Sequence, residues 1–265
     1  MIVHGSGSIL RLVPAGGRPI VTLTTDFGTR DYYVAAMKAV LVRKCPEVRI
    51  IDVTHEVPRH DILCGSITLE RAADGFPPGT VHLAVVDPGV GTDRRILVTE
   101  INGQMVVCPD NGLITWAWRR LGPGNAHELV WRPPAASSTF HGRDVMAPAA
   151  AMLACGRPLR EIAGPIQDPV LLDVRPTDQK PRIIHIDTFG NATTNMDCEA
   201  VLLLATRSFS VHNHKIGTLR RTYADVPPGE PLALIGSSGL LEIAVRDGSA
   251  ARQLRLKVGD DVFVE

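Results

Sequence analysis

The sequence predicts an α/β protein: an N-terminal domain with a mostly parallel sheet flanked by helices, plus a smaller C-terminal antiparallel β domain. Three observations carry this expectation. Short β-branched runs alternate with amphipathic stretches from Ile20 onward. That alternation stops at a proline-rich stretch, and beyond it only short apolar runs between Gly and Pro turns remain. At 265 residues, the chain exceeds the usual single-domain size of roughly 100–150 residues, which leaves room for two unequal domains.

Residues 1–17 contain Gly5-Ser6-Gly7-Ser8 and Gly16-Gly17 and read as a flexible tail. The run 20–23 is a buried strand ending in Thr24-Thr25-Asp26. Asp31 can then cap a helix whose residues Tyr33, Val34, Met37, Val40 and Leu41 share one face, stopped near Pro46. A second strand, 48–53, ends in Thr54-His55. Asp61 caps a helix through Ile62, Leu63, Ile67 and Leu69 that stops before Pro77-Pro78-Gly79, and a third strand, 81–86, ends in Asp87-Pro88-Gly89. This strand-helix-strand-helix-strand order predicts a parallel sheet. Runs 96–99 and 104–107 flank Asn102-Gly103, a hairpin dipeptide, so antiparallel strands extend the sheet. Helices around 112–120 and 144–155 complete a domain spanning 18–165. Residues 166–181, with Pro169, Pro176 and Pro181, read as a linker. In the β domain, 182–265, helical periodicity vanishes and short strands are expected at 182–186, 209–211, 231–235, 240–245 and 261–264.

Composition excludes several classes of function. Twenty-eight Lys+Arg against 28 Asp+Glu leave no net charge to attract polyanions, so nucleic acid is not the expected partner. No apolar run approaches the roughly 20 residues of a membrane span, and the start lacks the order of a signal peptide, so a cytoplasmic protein is expected. The five cysteines lie 19 to 47 residues apart with no C-x-x-C, so neither a disulfide framework nor a zinc knuckle is expected. His212 and His214 would share a strand face but lack a third ligand, so no metal site is expected.

Chemistry is expected at the carboxyl ends of the parallel strands, where loops and helix N-termini converge. Asp26, His55 and Asp87 stand there. The segment from Asp87 to Arg95 lacks the Lys-Ser/Thr ending of a phosphate loop and leads into a strand, which argues against nucleoside triphosphate hydrolysis. It does place Asp87 and Arg94 seven residues apart on one loop, able to form a charge-assisted pair or merely a loop-stapling salt bridge. His141, in Ser138-Thr139-Phe140-His141-Gly142-Arg143-Asp144, would face the same end as a general base, a polar anchor or a structural histidine. The stretch from Asp187 to Asn195 collects an acid, an aromatic and amides, suited to a flat heterocycle or to a polar turn.

Six collinear segments carry a resemblance: Thr24-Thr25-Asp26-Phe27-Gly28, Asp52-Val53-Thr54-His55, Val86-Asp87-Pro88-Gly89-Val90-Gly91-Thr92, Pro109-Asp110-Asn111-Gly112, Thr139-Phe140-His141-Gly142-Arg143-Asp144, and Asp187 to Asn191. Together they resemble the S-adenosyl-L-methionine hydroxide adenosyltransferase family, related to fluorinase and chlorinase. The resemblance implies hydrolysis of S-adenosyl-L-methionine, in which water displaces L-methionine at the ribose 5′ carbon and leaves adenosine. It assigns Asp87, Arg94 and His141 to water activation or positioning, and Asp26 to the ribose hydroxyls. Asp187 and Asn191 match residues holding the methionine end, Phe189 and Phe140 belong with the substrate-binding residues, and Ser238 and Glu242 match a C-terminal Ser-x-x-x-Glu region.

The related halogenases carry a serine at the position of Gly142 and a tyrosine at that of Asp87, so both differences favour water over halide. A 5′-halogenase and a non-catalytic adenosine-binding module are the competing readings. The family resemblance further implies a homotrimer whose sites lie between the N-terminal domain of one subunit and the C-terminal domain of the next. A sulfonium is a good leaving group, so the reaction calls for in-line placement and a dry pocket, and no metal or redox cofactor is expected.

Overall fold

The computed structural model describes residues 17–175, 181–204 and 206–265. Nearly all of the expected tail, and residues 176–180 of the expected linker, lie outside the described residues. The chain divides into two compact units, Met1–Leu172 and Asp173–Glu265.

In the first unit, β1 (Ile20–Thr25), β2 (Arg49–Thr54), β3 (Val81–Val85), β4 (Ile96–Ile101), β5 (Gln104–Pro109), β6 (Ala126–Leu129) and β7 (Ala163–Pro165) form one sheet in the order β2-β1-β3-β5-β4-β6-β7. The β2-β1, β1-β3 and β3-β5 pairs are parallel, and the remaining three are antiparallel. Helices α1 (Tyr33–Lys44) and α2 (Ile62–Gly75) are the crossovers of the parallel half. The period of two in β3 splits its side chains between two cores. Leu83 and Val85 pack with Met37, Leu41 and α4 (Ala147–Ala154), while Ala84 and Val86 pack with Leu69, Leu113 and Trp118. Each fully buried Leu, Ile or Val contributes about 1.5–3 kcal/mol, against about 0–1 kcal/mol for an exposed ion pair. The two apolar faces therefore hold this unit together.

The expected hairpin is present: Asn102 and Gly103 both have positive φ, 50° and 73°, which matches the twist of the flanking strands. Asp61 caps α2 by accepting the Cys64 amide at 2.9 Å. Asp31 does not cap α1, because Tyr32 occupies the cap position and no side chain caps that end. The helix expected at 112–120 is α3 (Thr115–Leu121), and that at 144–155 begins as a π turn, Gly142–Met146, continuing into α4. Strands β6 and β7 were not anticipated. The first carries His127 and Glu128 in four residues, and the second is only Ala-Gly-Pro.

One expectation about cysteine is corrected. Cys45 and Cys155 form a disulfide across 110 residues, with Cα atoms 6.0 Å apart, joining the C-terminal caps of α1 and α4. Spacing in sequence carries no information about a pair brought together by packing of two helices.

In the second unit, β8 (Ile183–Ile186), β9 (Ala192–Asp197), β10 (Ser208–Val211), β11 (His214–Arg220), β12 (Pro231–Ile235), β13 (Leu240–Val245) and β14 (Val262–Val264) form a sheet in the order β14-β10-β11-β12-β13-β9-β8. All neighbours are antiparallel except β11 and β12. Its core gathers Phe209, Val211, Ile216, Leu241, Ile243 and Leu254. Two short helices, α5 (Cys198–Leu203) and α6 (Ala250–Gln253), correct the expectation that helix is absent here. His212, at φ 50°, lies in the turn between β10 and β11, and its Nε2 is 3.1 Å from Asp260. His212 and His214 therefore do not share a strand face. No described helix is long and apolar enough to cross a membrane.

Candidate active site

The loops leaving β1 and β3 build the first cluster. After β3 the chain turns at Asp87, whose carbonyl accepts the Val90 amide at 3.3 Å, while Thr92 Oγ1 donates to the Gly89 carbonyl at 2.7 Å. Gly91 sits at φ +82°, and a Cβ there would lie 2.7 Å from the Ser138 carbonyl oxygen. Only glycine lets this loop press against the segment leading to His141. On the other side, Asp144 accepts the Ser137 amide at 2.9 Å and two bonds from Arg143, at 2.6 and 2.8 Å, closing that segment into a rigid loop.

The contact brings Asp87, Arg94 and His141 together. Arg94 Nε donates to Asp87 Oδ1 at 2.6 Å and its Nη2 donates to Oδ2, a two-pronged pair with side chains only 10% and 5% exposed. The same Nη2 lies 3.2 Å from His141 Nδ1. A guanidinium has hydrogens to donate and no lone pair to offer, so Nδ1 accepts and the imidazole proton sits on Nε2. Desolvation, reinforced by the charge of Arg94, holds the His141 pKa below its ordinary value, although Asp87 and Asp144 pull the other way. His141 is thus kept neutral beside the Asp87–Arg94 pair.

Asp87 and His141 border a cavity of about 170 Å³ that is otherwise lined by Phe27, Tyr33, Val85, Val90, Thr139, Phe140 and Gly142. Tyr33 and Phe140 meet edge to face at 5.2 Å, and Phe27 and Phe140 at 5.9 Å. Arg143 caps Phe140, with its guanidinium carbon 4.9 Å from the ring centre. One wall is therefore apolar and aromatic, while a polar corner holds a carboxylate and a neutral imidazole, both bonded to the Arg94 guanidinium. Asp26 directly precedes Phe27, and its Oδ2 accepts the His60 amide at 2.9 Å. Neither Tyr33 nor Arg143 was singled out from the sequence; Tyr33 looked like one of several apolar residues on a helix face.

The second unit forms a cluster of its own. Asp187 Oδ1 accepts the amides of Phe189 and Asn191 at 3.0 and 2.9 Å, and Oδ2 accepts Asn191 Nδ2 at 3.2 Å. Asp187 therefore staples the turn between β8 and β9. The turn depends on Gly190, at φ +88°, where a Cβ would collide with Ser249. It holds Phe189 76% exposed. Glu242, on β13, is paired in register with Leu234 and Thr193, and Ser238 lies in the turn preceding that strand. Tyr223 donates from its hydroxyl to Glu242 Oε1 at 2.6 Å; burial, that hydrogen bond and the negative charges of Glu242 and Asp187 push its phenol pKa upward. Tyr223 escaped sequence reasoning because nothing in its neighbourhood forms a motif. Among the described residues, no group of three or more His, Cys, Asp and Glu is arranged to hold a metal ion.

Comparison with known proteins agrees with this architecture. Residues 21–163 match the SAM hydroxide adenosyltransferase N-terminal domain, and residues 181–263 match the C-terminal domain of the same family. An (R)-S-adenosyl-L-methionine hydrolase from Salinispora arenicola is 41% identical over 261 residues, covering 93% of this chain and 97% of the relative. Its counterpart from Thermus thermophilus is 40% identical, covering 91% and 97%. A fluorinase from an Actinoplanes species is more distant, at 29% identity, covering 95% and 99%. The crystal structure of an uncharacterized conserved protein from Thermotoga maritima superposes with a TM-score of 0.87 at 36% identity, covering 93% of this chain and all of that one. With both domain types present in order over nearly its whole described length, the chain belongs to the SAM hydroxide adenosyltransferase family.

Proposed function

We propose that the protein hydrolyses S-adenosyl-L-methionine to adenosine and L-methionine, and that its substrate is the R epimer at sulfur named in its hydrolase relatives. The observation that carries this reading is the Asp87–Arg94–His141 cluster at the polar corner of an aromatic cavity. Water attacks C5′ in line with the departing sulfur. The C5′–S electron pair returns to sulfur and the new C–O bond forms. Asp87, held in place by Arg94, first orients the water. Once C–O bonding has begun, the oxygen becomes strongly acidic, and Asp87 then suffices as the proton acceptor. His141, held neutral, supplies a second polar contact without adding positive charge beside a sulfonium. The aromatic wall excludes bulk water and solvates the cation poorly, which favours the loss of charge at sulfur.

Asp26 binds the ribose hydroxyls in this reading, with Phe140 against the nucleoside. Asp187, Phe189, Asn191, Ser238 and Glu242 belong to the methionine-binding wall. That wall is contributed by the neighbouring subunit of a homotrimer, which is consistent with an exposed Phe189 on a rigid turn. The leaving group is a neutral thioether, so the reaction requires neither metal nor redox cofactor, and a chelator leaves the rate unchanged. A cytoplasmic location fits a substrate that is an intracellular metabolite, and cell fractionation tests it.

The decisive experiment is chromatographic identification of the product from each sulfur epimer, with and without chloride or fluoride. Adenosine from the R epimer under all conditions supports the reading, and a 5′-halo nucleoside overturns it. Adenosine binding without methionine release would leave only a binding module. Asp26→Ala weakens adenosine binding by calorimetry while leaving the Asp87–Arg94 pair intact.

A further inference from the structure

The segment Asp52-Val53-Thr54-His55 takes no part in the proposed chemistry, yet its side chains join a continuous polar chain behind the Asp26 loop. Lys38 Nζ donates to Asp52 Oδ2 at 2.5 Å, and Asp52 Oδ1 lies 3.0 Å from His55 Nε2. His55 Nδ1 is 2.9 Å from Thr25 Oγ1, which accepts the Phe27 amide at 3.3 Å. The Asp52–His55 contact is an ion-pair approach without hydrogen-bond alignment, whereas the Thr25 hydroxyl and His55 Nδ1 are hydrogen-bonded, and a Thr25 lone pair faces the Phe27 amide. Partial burial disfavours the Asp52 anion, but the contacts with Lys38 and His55 outweigh it and hold the Asp52 pKa below its ordinary value. Thr25 and His55 are both buried, so water does not replace a broken link.

Backbone bonds grip the same loop from the other side. The Gly28 amide donates to the His55 carbonyl at 2.7 Å, the Val57 amide to the Thr25 carbonyl at 3.3 Å, and the His60 amide to Asp26 Oδ2 at 2.9 Å. Residues 55–60 thereby hold residues 25–28 on both sides of Asp26.

We propose that Lys38, Asp52, His55 and Thr25 form a positioning clamp that fixes Asp26 and Phe27 for the nucleoside half of the substrate, making them determinants of affinity. The proposal rests on the reading of Asp26 as the ribose carboxylate. None of the four clamp residues touches a reacting atom in that reading. Their loss loosens the loop and weakens binding, while the chemical step at Asp87 proceeds.

The test compares Thr25→Val, which keeps the shape and removes the hydroxyl, with Thr25→Ser, which keeps the hydroxyl. Loss of one buried hydrogen bond of about 1 kcal/mol corresponds to about a fivefold effect. Thr25→Val is therefore expected to raise KM and weaken adenosine binding by about that factor or more, with kcat little changed, and Thr25→Ser to restore affinity. Asp52→Asn, at a half-exposed position that spares the core, is expected to act in the same direction but less. Unchanged adenosine affinity in both Thr25→Val and Asp52→Asn overturns the clamp, as does a loss confined to kcat. A wild-type protein that neither binds adenosine nor releases methionine refutes the functional reading itself, a distinct result.

Discussion

Arg94 donates to both Asp87 and His141, so a single guanidinium holds the two side chains together. Protonating His141 would turn Nδ1 from an acceptor into a donor facing the Arg94 N–H groups. Because its folded pKa lies below the ordinary 6.5, from desolvation first and Arg94 second, the neutral form persists down through that value. The expected kcat/KM profile is flat above pH 6.5 and falls only at lower pH. The sign for stability is the same: the depressed group contributes stability that is present above the unfolded-state pKa and lost as pH falls through the folded one. Arg132 also holds the His141 pKa down, so Arg132→Gln moves the acid limb toward neutrality, measurable in a pH–rate series. An acid limb centred above 6.5 in the wild type would contradict this account. Asp87→Asn leaves the side chain's shape but removes its charge, and is expected to lower kcat by about 100-fold or more with a much smaller change in KM.

At the level of elements, α1 and α4 pack against the same face of the sheet, and candidate site residues stand toward their N-terminal ends, Tyr33 on one and His141 ahead of the π turn that leads into the other. The Cys45–Cys155 disulfide joins their far ends. Closing a loop of this size contributes about 2–5 kcal/mol, so the double variant Cys45→Ser with Cys155→Ser is expected to lower Tm by several degrees. Melting with and without reductant checks it, and an equal Tm in both conditions would show that the bond adds nothing. The elements legible in the sequence were those whose local pattern and tertiary role agree. β1, β3 and β5 are buried almost throughout and hold no Asp, Glu, Lys or Arg, because both faces are covered. β9 (Ala-Thr-Thr-Asn-Met-Asp) is nearly all buried yet reads as polar turn, because Thr194 and Asn195 accept backbone amides from Met196 and Arg182. β11 is masked for the opposite reason, since its exposed His214, Lys215 and Arg220 dilute a strand that contributes Ile216 to the core. The Asp87–Arg94 pair was readable as two charges on one tight loop. Its grouping with His141 was legible only through the family resemblance, because the contact itself depends on Gly91 letting the loop approach Ser138.

For the whole molecule, the two clusters of candidate residues fall in separate units, Asp26, Asp87, Arg94, Phe140 and His141 in the first and Asp187, Phe189, Asn191, Ser238 and Glu242 in the second. The proposed trimer makes a specific prediction about which chains supply them. If each site takes its first cluster from one subunit and its second from the next, Asp87→Asn and Asn191→Ala each inactivate or impair every site in a pure trimer. Mixed trimers differ. A site that draws its first cluster from an Asn191→Ala subunit and its second from an Asp87→Asn subunit contains no altered residue. Unfolding and reassembling the two variants together at equal amounts should therefore regenerate about a quarter of the wild-type sites in a closed ring of three. Light scattering on the mixture should give three times the 28.6 kDa chain mass. Reassembled trimers with no recovered turnover would place both clusters of a site in one chain, and a fully active monomer would remove the shared-site arrangement altogether.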